Sequence, residues 1–267
     1  MLPQGSTYVV MGLLDPDSIA YAVGQTIVQH GGRVVYTMLN PTMKELFLDR
    51  SPKITQAERD ALTIEYCDVT KEDEVKQLFE RIGPIDGVVH SIAFANPRTL
   101  LGQELHTHAF VDLKNSFHIS CVSLATVTEF AQPQMRNGGS VVTLTFASER
   151  AFVYYNWMGV NKAALEALVR ALARRHGKDA VRVNAVSAGP LATKAATMIP
   201  GYGEMVQGWV RASPIPWDVY ADKTEVANMV LLLLSPYTKK VTGQVIHVDG
   251  GWSAVGNDLQ PFEQAAQ

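Results

Sequence analysis

Cysteines and long apolar runs are both scarce in this 267-residue sequence. The two cysteines, Cys67 and Cys121, form no C-x-x-C pair and cannot supply a metal cluster, so we expect reduced thiols and a cytoplasmic location. The main apolar run, residues 229–234, is far too short to span a membrane. The N-terminus lacks a basic region followed by a long apolar core, so no secretory signal is predicted.

A strong excess of charge is also missing. The net charge of −3 gives no reason to expect nucleic-acid binding. Hydrophobic residues make up 47% of the chain and charged residues 18%, which is typical of a soluble globular protein. The histidines have no metal-ligand spacing, so we predict no metal site and interpret them all as solvated or capping residues. They are His30, His90, His106, His108, His118, His176 and His247.

Short β-branched runs alternate with longer helical stretches, a pattern typical of a parallel sheet with helices on both faces. Seven strands are predicted, at residues 8–11, 33–37, 62–66, 87–90, 140–144, 181–186 and 244–248. No Pro/Gly/Ser-rich linker interrupts them, so we expect one α/β domain over residues 1–267, a Rossmann-like, doubly wound sheet. Thr70, with Asp73 three residues later, predicts a capping-box-like start for a helix that ends near Ile82.

The longest irregular stretch runs from about residue 192 to 220. It is rich in methionine, tryptophan and proline, namely Met198, Met205, Trp209, Trp217, Pro200, Pro214 and Pro216. An apolar flap of this kind is typical of a lid over a hydrophobic substrate. A small, packed helical insertion is the alternative, and local sequence does not separate the two.

A dinucleotide site is indicated after the first predicted strand, although the usual G-x-G-x-x-G is absent. Gly12 allows the backbone to approach a pyrophosphate closely, and Ser18 is placed to cap the next helix while donating to phosphate. Ser91, Ile92 and Ala93 follow the fourth strand, at the edge where open α/β sheets bind ligands.

The end of the second strand bears on the choice of dinucleotide. Neither an acidic nor a basic residue stands at Leu39 or Asn40, although Lys44 is not far away. Without a cation for a 2′-phosphate, NAD is favoured over NADP. Asp68 follows the third strand, where its carboxylate either accepts from the adenine amino group or caps the loop.

Tyr155 and Lys162 are the most informative pair in the chain. Seven residues on a helix turn through about 700° and rise about 10 Å, so the two side chains share one face. A phenol there can point at a substrate oxygen, while the ammonium holds a cofactor hydroxyl and favours the ionised phenol.

Four segments together resemble the enoyl-acyl-carrier-protein reductases, divergent members of the short-chain dehydrogenase/reductase superfamily. They are DGVVHSIAFA at 86–95, YNWMG at 155–159, SAGP at 187–190 and HVDGG at 247–251. The resemblance runs in order over residues 9–256, and the loop from Gly12 to Ser18 has the form that this family uses. YNWM and PIPW at 214–217 are similar to the branch that acts on longer acyl chains.

The resemblance implies a homotetramer that reduces a trans-2-enoyl thioester, on acyl-carrier protein or coenzyme A, with NADH in fatty acid biosynthesis. The implied cofactor-binding residues are Gly12, Ser18, Ile19, Leu39, Asp68, Val69, Ser91, Ile92, Ala93, Lys162, Gly189, Pro190, Leu191, Thr193 and Ala195. The implied substrate-binding residues are Ala95, Phe146, Tyr155 and Met158. Tyr155 would stabilise the enolate oxygen that develops as hydride reaches the β-carbon.

The chain departs from the family pattern in three places. Phe146 stands at the position of an outer tyrosine, so we expect it to shape the pocket and donate nothing. The family's Pro-Ile-Arg-Thr-Leu-Ala is Pro-Leu-Ala-Thr-Lys-Ala here, which removes a basic residue at Ala192 and adds Lys194. Residues 98–108 match poorly, which indicates a specialised portal.

Two alternative functions stay open at this point. A carbonyl reductase of the same superfamily would carry a serine about thirteen residues before Tyr155, where Val142 stands, unless a strand slip brings Thr143 or Thr145 into place. A dinucleotide-binding scaffold without turnover would retain Tyr155 and Lys162 as structural residues only.

Overall fold

The computed structural model describes residues 1–102, 104–152 and 154–255. In these ranges seven strands form one sheet, in the order β3-β2-β1-β4-β5-β6-β7, and every neighbouring pair is parallel. The strands are β1 (Thr7–Met11), β2 (Arg33–Met38), β3 (Ile64–Tyr66), β4 (Gly87–His90), β5 (Gly139–Thr145), β6 (Val181–Ala188) and β7 (Val245–Val248). The predicted doubly wound α/β fold is confirmed.

The bounds of three strands differ most from the prediction, and the differences follow their pairing with neighbouring strands. The edge strand β3 begins two residues later than predicted, because it pairs only with β2, from Ile64 opposite Tyr36. By contrast, β5 and β6 pair over seven positions in the middle of the sheet, and both are longer than predicted.

Ten α-helices connect or cover the strands in the described part of the chain. They are α1 (Ile19–Gln29), α2 (Pro41–Met43), α3 (Gln56–Asp60), α4 (Glu72–Ile82), α5 (Phe110–Phe117), α6 (Ser123–Ala131), α7 (Asn156–His176), α8 (Lys194–Thr197), α9 (Tyr202–Ala212) and α10 (Lys223–Leu234). Two π-helical segments, Lys44–Asp49 and His118–Val122, follow α2 and α5.

The core has two halves, one on each face of the sheet. On β1, Tyr8 and Val10 pack toward α1 and α10, whereas Val9 and Met11 pack toward α4, α6 and α7. This alternation follows from the period of two along a strand, and both faces are apolar because helices cover both.

The start of α4 differs from the prediction. The helix begins at Glu72 with Lys71 in the capping position, and Thr70 lies outside it. Thr70 instead donates its N–H and hydroxyl to Asp68 Oδ1, at 3.0 and 2.7 Å. Thr70, the residue that was expected to cap the helix, therefore forms a local turn with the Asp68 carboxylate instead.

Between β6 and α10 lie the two short helices of the predicted flap, α8 and α9. Within the described ranges, no helix is both long and apolar enough to cross a membrane. The last twelve positions, including the Gly256 end of the resemblance, lie outside the described residues.

Candidate active site

The candidate site lies at the carboxyl edge of the sheet, where the strand order reverses between β1 and β4. Met11 at the end of β1 is opposite His90 at the end of β4, so Gly12 and Ser91 emerge side by side. Gly12 has φ +90°, and a Cβ at this position would lie 2.1 Å from the Ser91 carbonyl oxygen. The immediate reason for glycine is therefore contact with β4, and the same bare backbone leaves room for a ligand.

Ser18 caps α1 as predicted, accepting from the Tyr21 N–H at 3.2 Å. Its hydroxyl proton goes to the Asp15 carbonyl oxygen at 2.7 Å, so in this structure that proton is not directed at a phosphate. Among the described residues, the amide N–H groups of Ile19 and Ala20 have no hydrogen-bond partner. A helix N-terminus with free amides is an anion-binding element, so these two N–H groups fit a pyrophosphate.

The adenosine end of the predicted site is partly occupied by local hydrogen bonds. Asp68 Oδ1 accepts twice from Thr70, so the loop-cap interpretation of Asp68 is confirmed for that oxygen. Asp68 Oδ2 lies 3.7 Å from Lys71. Leu39 is 46% exposed at the end of β2, and Val69 is buried.

Tyr155 and Lys162 are on one helix, as predicted. Tyr155 directly precedes α7 with helical backbone angles, and Lys162 lies two turns further on. Both side chains are at most 9% exposed. The entry into α7 is unusual, because Tyr154 and Asn156 have φ values of +73° and +26°.

The Tyr155 phenol lies in an apolar setting. The Phe146 ring meets it edge-on at 5.1 Å between centroids, as expected for a residue that shapes the pocket. Burial raises the pKa of Tyr155. Burial therefore favours the phenol as a neutral donor, and the expectation that Lys162 favours the ionised phenol stays a prediction.

The Lys162 ammonium donates to the Leu144 carbonyl oxygen at 2.8 Å. Burial lowers the pKa of Lys162 to about 8, and electrostatic interactions with Cys121 and Glu166 oppose this shift. An ammonium has three N–H donors, and this is its one hydrogen bond to the described residues. Two donors remain, which fits a ribose diol.

His90 contradicts the expectation that every histidine is solvated or capping. It is fully buried, with Nδ1 3.0 Å from Thr143 Oγ1 and Nε2 2.8 Å from Ser123 Oγ. Burial lowers its pKa to about 3, so the ring is neutral. His176 is also buried. A strand-end histidine gives no local sign of burial, because the helices that cover it come later in the chain.

The strand slip required by a carbonyl reductase does not occur. Val142 is completely buried on β5, pointing into the core. Thr143 Oγ1 is within hydrogen-bond distance of both Nδ1 and the carbonyl oxygen of His90. Thr145 Oγ1 donates to Glu166 Oε1 at 2.7 Å. Neither threonine donates to Tyr155.

The flap is a packed helical insertion. Trp209 of α9 is 1% exposed and stacks on Trp252 at 4.0 Å with 10° between the rings. Trp217 Nε1 donates to the Pro190 carbonyl oxygen at 2.8 Å. The Trp217 and Trp209 rings lie against Gly189, where a Cβ would lie 2.7 Å from Trp217 and 3.0 Å from Trp209 Nε1. Met198, in contrast, is 64% exposed.

The added basic residue of the flap, Lys194, reaches back to the loop before α1. Its ammonium lies 3.8 Å from Asp15 Oδ2 and 4.5 Å from the centroid of the Phe47 ring. A cavity of about 320 Å³ opens beside these residues. Thr193 caps α8 through its hydroxyl oxygen, which accepts from Ala196 N–H, so its proton stays available to a phosphate.

The sequence interpretation missed a buried network that fixes the loop after β4. Asn161 Nδ2 donates to Ser116 Oγ at 2.8 Å, and Ser116 Oγ donates to the Phe94 carbonyl oxygen at 2.6 Å. Ser120 Oγ accepts from the Phe94 N–H at 2.9 Å. Phe94 lies between Ala93 and Ala95, so these side chains hold both predicted contact positions in place. One residue could have indicated this network in the sequence: the polar Asn161, which directly precedes Lys162 on the predicted catalytic helix.

The poorly matching portal segment is attached to the start of α7. Asn156 Nδ2 donates to the carbonyl oxygens of Gly102 and Glu104, and Trp157 Nε1 donates to the Leu105 carbonyl oxygen at 2.8 Å. The predicted motif YNWM therefore supports the portal as well as carrying Tyr155.

Comparisons with known proteins agree with this geometry. The family model described as enoyl-(acyl carrier protein) reductase matches residues 12–253. The chain is 34% identical over 261 residues to the enoyl-acyl-carrier-protein reductase (NADH) FabI of Rickettsia prowazekii, covering 96% of this chain and 97% of the relative. It is 37% identical over 259 residues to the NADPH enzyme FabI of Staphylococcus aureus, covering 94% and 98%.

A solved structure gives the same result. The Bacillus cereus enoyl-acyl carrier protein reductase, in complex with NADP⁺ and indole naphthyridinone, superposes with a TM-score of 0.86 at 33% identity, covering 95% of this chain and 98% of that one. The resemblance found in the sequence is thereby confirmed: this chain belongs to the enoyl-(acyl carrier protein) reductase family.

Proposed function

We propose that this protein reduces the trans-2 double bond of an enoyl thioester, carried by acyl-carrier protein, with hydride from NADH in fatty acid biosynthesis. The observation that carries the proposal is the pairing of a buried neutral phenol, Tyr155, with a buried ammonium, Lys162, at the carboxyl edge of the sheet.

Tyr155 supplies the donor for the developing negative charge. When hydride adds to the β-carbon, electron density moves to the thioester oxygen, and a neutral O–H within reach stabilises the enolate. The raised pKa keeps the proton on the phenol at neutral pH. Phe146 and Phe152, 4.8 Å apart, add apolar surface beside it, which lowers the local dielectric and strengthens this hydrogen bond.

Lys162, with its two remaining N–H donors, would hold the cofactor ribose. The free amides of Ile19 and Ala20, with the hydroxyl of Thr193, would hold the pyrophosphate, and Ser91, Ile92 and Ala93 would line the nicotinamide side. When bound there, the reduced nicotinamide supplies the hydride.

NADH is proposed over NADPH because the first cations that follow β2 in the described part of the chain, Lys44 and Arg50, are both in ion pairs. Lys44 pairs with Asp49 at 2.7 Å, and Arg50 pairs with Glu45 at 2.6 Å. Asn40 uses its side-chain oxygen to cap α2. A 2′-phosphate would therefore have to break an existing ion pair to gain a partner.

The proposal extends to the organisation of the protein. We expect residues 1–267 to form one cytoplasmic domain that assembles as a homotetramer. Exposed apolar side chains on α5, the following π-helical segment and α7 support contact with a second copy. They are Phe110, Val111, Phe117, Val122 and Val160. Light scattering after size exclusion tests the tetramer.

Steady-state kinetics test the activity. Crotonyl and longer enoyl thioesters, on acyl-carrier protein and on coenzyme A, are assayed with NADH and NADPH side by side. We expect NADH oxidation with the enoyl thioesters and none with an acetoacetyl thioester. Turnover of acetoacetyl thioester alone would identify a carbonyl reductase, and no turnover of any thioester would identify a non-catalytic scaffold.

A further inference from the structure

Glu166 is a buried acid beside the proposed catalytic pair. It lies one turn after Lys162, and eleven residues after Tyr155, which places all three within about 20–40° of one another around α7. The side chain is 9% exposed. Oε1 accepts from Thr145 Oγ1 at 2.7 Å, and Oε2 accepts from Ser148 Oγ at 2.5 Å.

A hydroxyl group lies within hydrogen-bond distance of each Glu166 oxygen, an arrangement that fits a carboxylate that accepts at both oxygens. No cation lies within ion-pair distance of it in the described ranges of the chain. Thr145 ends β5, and Ser148 lies in the loop that follows. Glu166 therefore connects the catalytic helix to the segment that begins at Leu144, the acceptor of the Lys162 ammonium.

The other groups that face Lys162 carry no negative charge at neutral pH. His90 on β4 is neutral because its pKa is about 3. Burial raises the pKa of the Cys121 thiol on the π-helical segment, and it raises the pKa of the Tyr155 phenol. Among the described groups around the ammonium, Glu166 is thus the one that bears a full negative charge, and it acts to keep Lys162 protonated.

We propose that Glu166 is a positioning residue for the reaction: its carboxylate supplies the buried negative charge that the Lys162 ammonium requires, and through Thr145 and Ser148 it fixes the end of β5 that receives this ammonium. The proposal rests on the proposed function, which assigns Lys162 to the cofactor ribose. Glu166 acts through Lys162 and contacts neither substrate nor cofactor.

The test is the pH dependence of NADH affinity in the Glu166→Gln variant, which keeps an acceptor and the side-chain shape but removes the charge. Wild-type affinity should weaken above pH 8, as Lys162 loses its proton. The fall in NADH affinity with rising pH is called the alkaline limb. In the variant this limb should move to lower pH by about one unit, because a nearby opposite charge shifts a pKa by this order. At pH 8 the variant should bind NADH about fivefold more weakly, because about half of the wild-type ammonium is still protonated there, and at pH 6 it should bind about equally well.

Glu129→Gln is the matched control, because Glu129 is an exposed carboxylate on neighbouring α6 that pairs with Arg175. Its pH limb should coincide with that of wild type. If Glu166→Gln does not fold, the triple variant Thr145→Val, Ser148→Ala, Glu166→Met replaces it: the charge is lost together with the two donors that would otherwise be left unpaired, and the limb should move in the same direction.

A limb that coincides with wild type in the folded variant overturns the role of Glu166. The Lys162→Met variant separates this outcome from failure of the proposed function. If Lys162→Met binds NADH as well as wild type, the cofactor site itself is wrong. If Lys162→Met loses affinity while the Glu166 limb is unmoved, only the positioning role is lost.

Discussion

The Lys162 ammonium and the Leu144 carbonyl oxygen are 2.8 Å apart, in a hydrogen bond that joins α7 to the end of β5. The strand thus sets the position of the ammonium before any ligand arrives. A buried charge held in advance loses little freedom when it takes a further partner, which favours tight binding of a ribose.

Tyr155→Phe should reduce turnover by about 100-fold or more, because the enolate oxygen loses its neutral donor. NADH affinity should change less than about twofold, since the variant removes one oxygen and no cofactor contact. Stopped-flow kinetics with fluorescence titration of NADH measure both quantities. Turnover equal to that of wild type would remove Tyr155 from the chemistry.

Lys162→Met should lose both NADH affinity and turnover while making the folded protein more stable at pH 7. The folded state binds the Lys162 proton more weakly than the unfolded chain does, so the cost of the buried charge is present below pH 8 and disappears as pH rises toward 10.5. Allowing for the lost bond to Leu144, the net gain should be about 2 kcal/mol.

Urea denaturation of wild type and Lys162→Met at pH 7 and pH 10 measures this difference in the free energy of unfolding. The advantage of the variant should shrink at pH 10. A variant less stable than wild type at pH 7 would show that burial of the ammonium carries no such cost.

His90→Phe should lower stability at pH 7 by about 1–3 kcal/mol, because it removes two buried hydrogen bonds. In the variant both partner hydroxyls keep an acceptor within reach, because the Thr143 hydroxyl can donate to the backbone carbonyl oxygen of position 90 and the Ser123 hydroxyl to that of Ile119. The same variant should resist acid better than wild type.

The reason is that the folded protein holds the His90 pKa near 3, below its ordinary value of 6.5. Its stabilising effect is complete above pH 6.5 and is lost as pH falls toward 3, by about 2 kcal/mol at pH 5. Urea denaturation at pH 7 and pH 5 measures this effect. The difference in free energy of unfolding between wild type and His90→Phe should be smaller at pH 5 than at pH 7. Parallel losses would show that another group dominates acid unfolding.

Trp209→Ala should lower the stability of the protein and loosen the packing of α9, the flap helix that carries this residue. Removal of a fully buried tryptophan costs about 3–5 kcal/mol, and here it also ends the stacking on Trp252. KM for the enoyl thioester should rise more than the NADH dissociation constant, because α9 belongs to the flap. Met198→Ala is the matched control, since that exposed flap residue should leave stability unchanged. Equal effects of both variants on stability would contradict an anchoring role for Trp209.

Much of the fold could be predicted from the sequence because its signals are local. The β-branched runs predicted all seven strands, and the spacing of Tyr155 and Lys162 placed them on one helix face. Helical and strand periods depend on neighbouring residues alone. The family resemblance came from short ordered motifs, and it was confirmed.

Sequence signals failed in two situations: where a neighbouring residue competes for the same group, and where burial depends on a distant element. Thr70 was predicted to cap α4, but the Asp68 carboxylate binds it first. The burial of His90 depends on Ser123, which lies on a helix formed much later in the chain.

The sequence by itself determined the order of strands and helices, the family and the identity of the paired phenol and ammonium. Only the tertiary structure decided what surrounds that pair: the Leu144 carbonyl that receives Lys162, the Glu166 carboxylate held by Thr145 and Ser148, and the rings packed around Tyr155. The physical reason is that protonation and hydrogen bonding depend on burial and on partners brought together by strand register and helix packing, which no local pattern records.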